Sequence, residues 1–327
     1  MNMPVCLVTG GAGLLGSEVA RLMSRRGWRI RIVDLLLPGG GGHERNLHGI
    51  ENLESVVFAD IRDEEIVRNA LVNCNAVIHA AAHTSHSASM TDPRMDLSIN
   101  VEGTVAVLEA VRMVAPQATF VLASTRQIYG KPISLPVNED HPLNPPDVNG
   151  IGKRATEDLT RLYGKIHGLR YSILRFTNIY GPEVRIKDAQ QMFLGIWIRR
   201  ALENGEITVF GDGSQRRDLL HVQDAAEAVY AGLQLQAAGV TFNVGSEETV
   251  SLGGLAEQVI AIAGGGTLIR RPFPQERKLI DIGDFASDST RIWESLGWKP
   301  SISLAQGLEH TIAFYRTHLR EYVENAS

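Results

Sequence analysis

The run Val8-Thr9-Gly10-Gly11-Ala12-Gly13-Leu14-Leu15-Gly16 sets four glycines between a short apolar stretch and a helical pattern. Gly11, Gly13 and Gly16 satisfy Gly-x-Gly-x-x-Gly, and Gly10, Gly13 and Gly16 satisfy Gly-x-x-Gly-x-x-Gly. Glycines so spaced close a tight turn and let backbone approach a pyrophosphate that side chains would hold away. The free N–H groups of the helix start, at Leu14 and Leu15, then face phosphate oxygens. Asp34 ends the next apolar run, 18 residues past Gly16. A carboxylate there accepts both ribose hydroxyls of NAD and repels the extra phosphate of NADP, so NAD is the expected cofactor. Asp60, after the third run, is a candidate partner for the adenine ring, with a helix N-cap as the structural alternative. Ala80, Ala81 and Ala82 follow a fourth run and are small enough to let a cofactor pass close to the backbone.

These residues need a scaffold that brings the ends of several strands together. Short, nearly unbroken apolar runs predict strands at 5–8, 30–33, 56–58, 76–79, 119–123, 171–176 and 240–244. Helical patterns predict helices at 14–24, 64–72, 97–114, 153–167 and 225–235. That alternation predicts an α/β fold: a Rossmann-type, doubly wound parallel sheet covered on both faces. A flexible loop is expected from Gly39 to Leu53, and a long irregular one over 130–150, which carries five prolines. We expect an NAD-binding core over 1–177, an insertion over 178–217, a return to the core over 218–246, and mainly a smaller C-terminal substrate-binding lobe over 247–327.

Composition limits the function classes. With 327 residues, 44% of them apolar and 21% charged, and a net charge of -5, the chain reads as an ordinary globular protein with no bulk nucleic-acid surface. Cys6 and Cys74 lack metal-ligand spacing and read as buried thiols of a reducing compartment; no metal site is expected. No apolar stretch approaches the roughly 20 residues of a membrane helix, and Met1 leads straight into a strand without a leader pattern. A cytoplasmic location with no membrane partner is the expectation.

Further motifs run in order along the whole chain: Asp60-Ile61, His79-Ala-Ala-Ala, Ser124-Thr125 before Tyr129-Gly130, Lys153, Arg175-Phe-Thr-Asn-Ile-Tyr-Gly-Pro, Gly211-Asp-Gly, Arg217-Asp218, His221-Val222 with Asp224, Arg271-Pro272 and Leu296-Gly-Trp-Lys-Pro. With the glycine loop, they make the chain resemble the extended short-chain dehydrogenases/reductases, specifically the nucleotide-sugar epimerases and dehydratases. The resemblance implies a Ser or Thr, a Tyr and a Lys four residues after it: the Tyr takes a proton from a sugar hydroxyl, and the Lys lowers its pKa and holds the nicotinamide ribose. Thr125 and Lys153 match. The Tyr position is Asn149, whose amide is no general base at neutral pH. Thr125 and Lys153 could act through a water or the substrate, or His83, His86 or Tyr180 could reach in, or the protein could bind without the usual oxidation.

The two residues after Thr125 bear on the reaction. Where the resembled 4,6-dehydratases carry Asp-Glu, this chain has Arg126-Gln127, and the decarboxylase branch usually has Glu at the second position. The favoured expectation is an NAD-dependent epimerase of a nucleotide-diphosphate sugar, working through a transient keto intermediate. A nucleotide-sugar oxidoreductase or atypical dehydratase, and a non-catalytic NAD/sugar-nucleotide-binding protein, are the alternatives. By the same resemblance Arg217 and Arg271, with Arg277, match diphosphate-binding positions, Asn178 matches a substrate contact, and a homodimer is implied through helices near 97–114 and 153–167. The polar run from Arg185 through Lys187 to Gln191 is a further candidate for shaping sugar specificity.

Overall fold

The computed structural model describes residues 3–188 and 192–324, without the side chains of residues 276, 277 and 324. Seven parallel strands form its main sheet: β1 (Val5–Thr9), β2 (Arg29–Asp34), β3 (Leu53–Phe58), β4 (Ala76–His79), β5 (Thr119–Thr125), β6 (Tyr171–Phe176) and, after three strands outside it, β10 (Val240–Val244). Their spatial order is β10-β6-β5-β4-β1-β2-β3. The chain winds outward from β1 to β3, then crosses back to place β4 on the other side of β1. That reversal opens a crevice beyond the carboxyl ends of β1 and β4, where ligands of doubly wound sheets bind. The glycine loop leaves β1 and the three alanines leave β4, so both edges of the crevice come from segments singled out in the sequence.

Side chains along β1 alternate between two apolar layers, as both-face burial requires. Cys6 and Val8 join Val19, Met23, Ile32 and Phe242 on one face, and Val5 and Leu7 join Val77, Val107, Phe120 and Leu122 on the other. Helices α1 (Leu14–Arg25) and, later, Val222–Ala231 pack together on the first face. On the second lie α2 (Glu64–Leu71), a long helix from Pro93 to Val114, and Val148–His167. The long helix contains a π turn at Ser98–Glu102, a feature common at functional sites.

Sequence and structure part at particular elements. The helix expected from Lys153 starts at Val148, because Asp147 caps it by accepting the Gly150 N–H at 2.7 Å. Asn149 and Lys153 therefore share one helix face a turn apart. The long helix likewise starts at Pro93, four residues before Leu97, capped by Asp92. The stretch over 39–53 is not a free loop: His43 N–H and the Asn46 amide both donate to the Ala12 carbonyl, at 3.0 and 2.8 Å.

Strands were missed in the second lobe: β7 (Asn178–Tyr180), β9 (Arg216–His221) and β11 (Thr249–Ser251) form one small sheet, and β8 (Glu206–Phe210) pairs with β12 (Thr267–Arg271). They are short, and β9, Arg-Arg-Asp-Leu-Leu-His, shows no period-2 alternation to read. Around them Trp197, Ile198, Leu255, Val259, Leu308 and Tyr315 form a separate core. Ile292 and Trp298, far along the tail, pack instead against the main sheet.

Candidate active site

Backbone builds the glycine loop at the cofactor end of the cleft. Gly10 has φ of +72°, and a Cβ on it would sit 2.6 Å from the Ala81 nitrogen; a Cβ on Gly16 would sit 2.1 Å from the Gly10 carbonyl oxygen. The loop thus folds on itself and against the alanines with no room for side chains. Gly13, the N-cap of α1, meets only the Gly10 oxygen at 3.3 Å. Its open side leaves the start of α1 available to an anion. Gly10, Gly13, Leu14, Leu15, Gly16, Asp34, Asp60, Ile61 and Ala80 to Ala82 all line one cleft of about 340 Å³.

Asp34 is 8% exposed, and its carboxylate accepts Ala12 N–H at 2.9 Å and Leu36 N–H at 2.8 Å. Burial pushes its pKa up while those two donors pull against the shift. Asp60 pairs with Arg62 rather than capping α2, a role taken by Asp63. The Arg62 hydrogen bonds hold the Asp60 carboxyl below its usual range. A pyrophosphate-bearing dinucleotide fits this cradle, which Asp34 also lines.

The other end of the same cleft is made of side chains. Thr125, Asn149, Lys153, His83 and His86 line it together. Thr125 ends β5, and its Oγ1 accepts Gln127 N–H at 3.2 Å. Its neighbour Ser124 points the other way, donating to Glu157 at 2.6 Å beside Arg175. Lys153 Nζ donates to the Ala123 carbonyl at 3.0 Å, and burial pulls its pKa down to about 8 against the opposing pull of Asp96 and Glu157.

Asn149 is not positioned as a stand-in base. Its Nδ2 donates to the His83 carbonyl at 2.6 Å and to Asp96 Oδ2 at 3.2 Å. Asp96 is fully buried and binds His83 Nδ1 at 2.7 Å. Asn100, on the π turn, accepts from His83 N–H at 2.9 Å and donates to its carbonyl at 3.0 Å. The backbone and ring of His83 are thereby fixed, while Nε2 has no hydrogen-bond partner among the described residues. A second pair lies alongside: His86 Nδ1 stands 3.0 Å from Asp147 Oδ2, which also accepts from the Gln127 amide at 2.8 Å. Burial opposes the Asp147 charge, but His86 and the other donors keep its pKa below the usual value.

The cleft opens onto a second cavity of about 760 Å³ in the small lobe, and His86 and Asn178 line both. Arg126 and Arg217 line the second one. Arg217 is buried, donating to the Gly283 carbonyl and pairing with Asp281 at 3.3 Å. Asn178 Oδ1 accepts from Arg126 Nη2 at 3.0 Å.

Three expected residues do not converge here. Tyr180 is 1% exposed and gives its hydroxyl to the Leu304 carbonyl at 3.3 Å, edge-on to His221, so it faces the small-lobe core and not the cleft. Arg271 is exposed at the end of β12 with Glu206 at 3.4 Å, outside the lining of either cavity. Lys187 lines neither cavity; its carbonyl accepts from Arg199. The Arg277 side chain, and Gln190 and Gln191 of the polar run, lie outside the described residues. Sequence reasoning missed Asp96, Asn100 and the place of Arg126 in the lining of the second cavity. Asp96 and Asn100 stand four apart on a mostly apolar helix, a signal that was readable.

A doubly wound sheet whose switch point carries a glycine cradle, with Thr and Lys beside it and an arginine-lined cavity beyond, defines a dinucleotide enzyme that seats a second, anionic ligand. Residues 6–245 match the NAD dependent epimerase/dehydratase family, and the chain belongs to it. Similar proteins include the UDP-glucose 4-epimerase of Mycolicibacterium smegmatis, 32% identical over 95% of this chain and 98% of the relative. Among solved structures, a UDP-glucose 4-epimerase with UDP-glucose from Thermotoga maritima superposes with a TM-score of 0.88, at 29% identity over 96% of this chain and 99% of that one. A dTDP-glucose 4,6-dehydratase from Streptomyces venezuelae with NAD bound gives 0.87, at 25% identity over 99% and 100%.

Proposed function

We propose that this protein is an NAD-dependent epimerase of a nucleotide-diphosphate sugar in which His83 carries the proton that a tyrosine carries elsewhere in the family. The carrying observation is the His83–Asp96 pair: Asp96 holds Nδ1, so the Nε2 lone pair faces the cleft that Thr125 and Lys153 also line. Gly10 to Gly16 and Asp34, with Lys153 at the ribose, would hold NAD, which when bound would supply the hydride acceptor.

Thr125 hydrogen-bonds the reacting sugar hydroxyl, and His83 Nε2 takes its proton as the carbon becomes a ketone. The resulting imidazolium is stabilised by buried Asp96, as a base held by an orienting carboxylate should be. Once the ring has turned over, the same Nε2–H gives the proton back to the oxygen. Nothing at the Arg126-Gln127 position removes water from the sugar: the Gln127 amide is engaged with Asp147 and the Arg126 guanidinium with Asn178.

The test is incubation with UDP- and dTDP-linked sugars, neutral and acidic, in deuterated water, followed by NMR. Inversion at one ring carbon with no carbon-bound deuterium is expected. Loss of water, or no conversion across the panel, would sink the reading.

The same reading includes a homodimer, supported by Ile151, Leu162 and Ile166, exposed on one face of Val148–His167, and by exposed Met113 on the adjacent helix. Sedimentation of the purified protein as a monomer would overturn that part. The free thiols of buried Cys6 and Cys74 fit a cytoplasmic setting. Among the described residues no helix is long and apolar enough to cross a membrane.

A further inference from the structure

Arg126 occupies an unusual electrostatic position. It follows Thr125 directly, and its guanidinium is held at the junction of the two cavities by Asn178, which lines both. The Phe285 ring lies 4.9 Å beneath it. Among the described residues it makes no ion pair, and its Nη1 is buried with no hydrogen-bond partner. The acids near it are committed elsewhere: Asp218 to Thr177 and the Ser287 N–H, Asp281 to Arg217, Gln215 and the Gly283 N–H. Arg217 adds a like charge, and burial with that neighbour pulls the Arg126 pKa down to about 9. A buried guanidinium donor without an acceptor is costly, and such a group marks the place of a missing anion or water.

We propose that Arg126 binds a carboxylate on the sugar itself, so that the substrate class is a nucleotide-linked sugar acid rather than a neutral hexose. This rests on the nucleotide-sugar reading above. Position separates the two anions such a substrate would carry. The sugar ring must reach Thr125 and His83, which places Arg126, next to Thr125 and bonded at the junction, beside the ring substituents. Arg217, which lines the second cavity with Gln215, Asp281 and Ile282 and, among the described residues, has no bond to the junction residue Asn178, is the group left for the diphosphate. A planar guanidinium, clamped on Asn178 and stacked on Phe285, is prepared for a carboxylate in a way a lysine would not be.

The experiment measures binding by calorimetry to the NAD-saturated protein, using matched pairs: UDP-glucose with UDP-glucuronate, and dTDP-glucose with dTDP-glucuronate. The acid of whichever pair binds is expected to be held at least about tenfold tighter, and in Arg126→Gln that ratio falls to about one. Arg126→Lys should restore only part of the preference. NAD binding by each variant shows that it is folded. Equal or tighter binding of the neutral sugar overturns the proposal while leaving the epimerase reading intact. So does an Arg126→Gln that weakens both members equally, which would assign Arg126 to the diphosphate. Failure of all four ligands to bind would overturn both.

Discussion

The two ends of the cleft are constructed by different means. At the cofactor end the shape comes from backbone: neighbours approach Gly10 and Gly16 so closely that a Cβ has nowhere to go, and Gly13 between them leaves the helix start open. At the reaction end the shape comes from side chains drawn from distant segments, with Asn149 reaching His83 across 66 positions and Asp96 across 53. A backbone cradle tolerates no substitution but is written locally in the chain. A side-chain cluster can exchange its proton carrier, provided that some partner still orients it, and on the function proposed above Asp96, Asn100 and Asn149, all bonded to His83, are those partners.

The largest effect should come from the cluster's reacting member. His83→Gln leaves the backbone contacts to Asn100 and Asn149 in place and removes the proton acceptor. We expect kcat to fall by about 10²–10⁴ with NAD affinity unchanged; a variant retaining most of its turnover would remove His83 from the mechanism. On the other side of the comparison, Gly16→Ala drives a Cβ to 2.1 Å from the Gly10 carbonyl oxygen. Overpacking of this kind costs roughly 1–3 kcal/mol even where neighbours shift, so, where that strain falls on the cofactor-bound loop, NAD affinity measured by calorimetry should drop by roughly 5- to 150-fold. Unchanged NAD affinity would contradict the cradle.

A smaller effect separates orienting from reacting groups. Asn149→Ala strips one donor each from the His83 carbonyl and Asp96, two buried acceptors that keep Asn100 as a partner. Loss of a buried hydrogen bond costs about 1–3 kcal/mol, so Tm should fall by several degrees and kcat by about tenfold, with KM little changed. A loss as large as that of His83→Gln would mean that Asn149 itself touches the substrate.

This contrast also explains what the sequence made legible. The doubly wound parallel sheet followed from apolar runs alternating with helices, and the cradle from glycines inside a nine-residue window, whereas the strand order came only with the structure. Thr125 and Lys153 were found through the family resemblance, as the positions that match its Ser/Thr and Lys. Asp96 was not: its spacing to Asn100 was readable, but its pairing with His83 joins the long helix to a loop residue 13 positions earlier, a contact that no local period announces. Tyr180 misled for the converse reason: it stands in a motif near the site, yet the pleat of β7 turns it into the small-lobe core. Arg126 was read as the absence of an acid, and its positive content became visible only with its partners in place.

Lys153 joins the two ends, and its titration gives the subtlest test. Burial lowers its pKa to about 8, so the ammonium is present below that pH and lost above it. If its charge supports both the cofactor ribose and proton transfer, kcat/KM in the free enzyme should be near half its plateau at pH about 8 and fall further as pH rises. Lys153→Arg replaces it with a cation that does not titrate in this range. The variant should be slower throughout, because the guanidinium cannot reproduce the Nζ contact to the Ala123 carbonyl, but its alkaline limb should move well above pH 8. An unmoved limb would mean that some other group titrates there, and the two ends of the cleft would then be coupled through something other than this lysine.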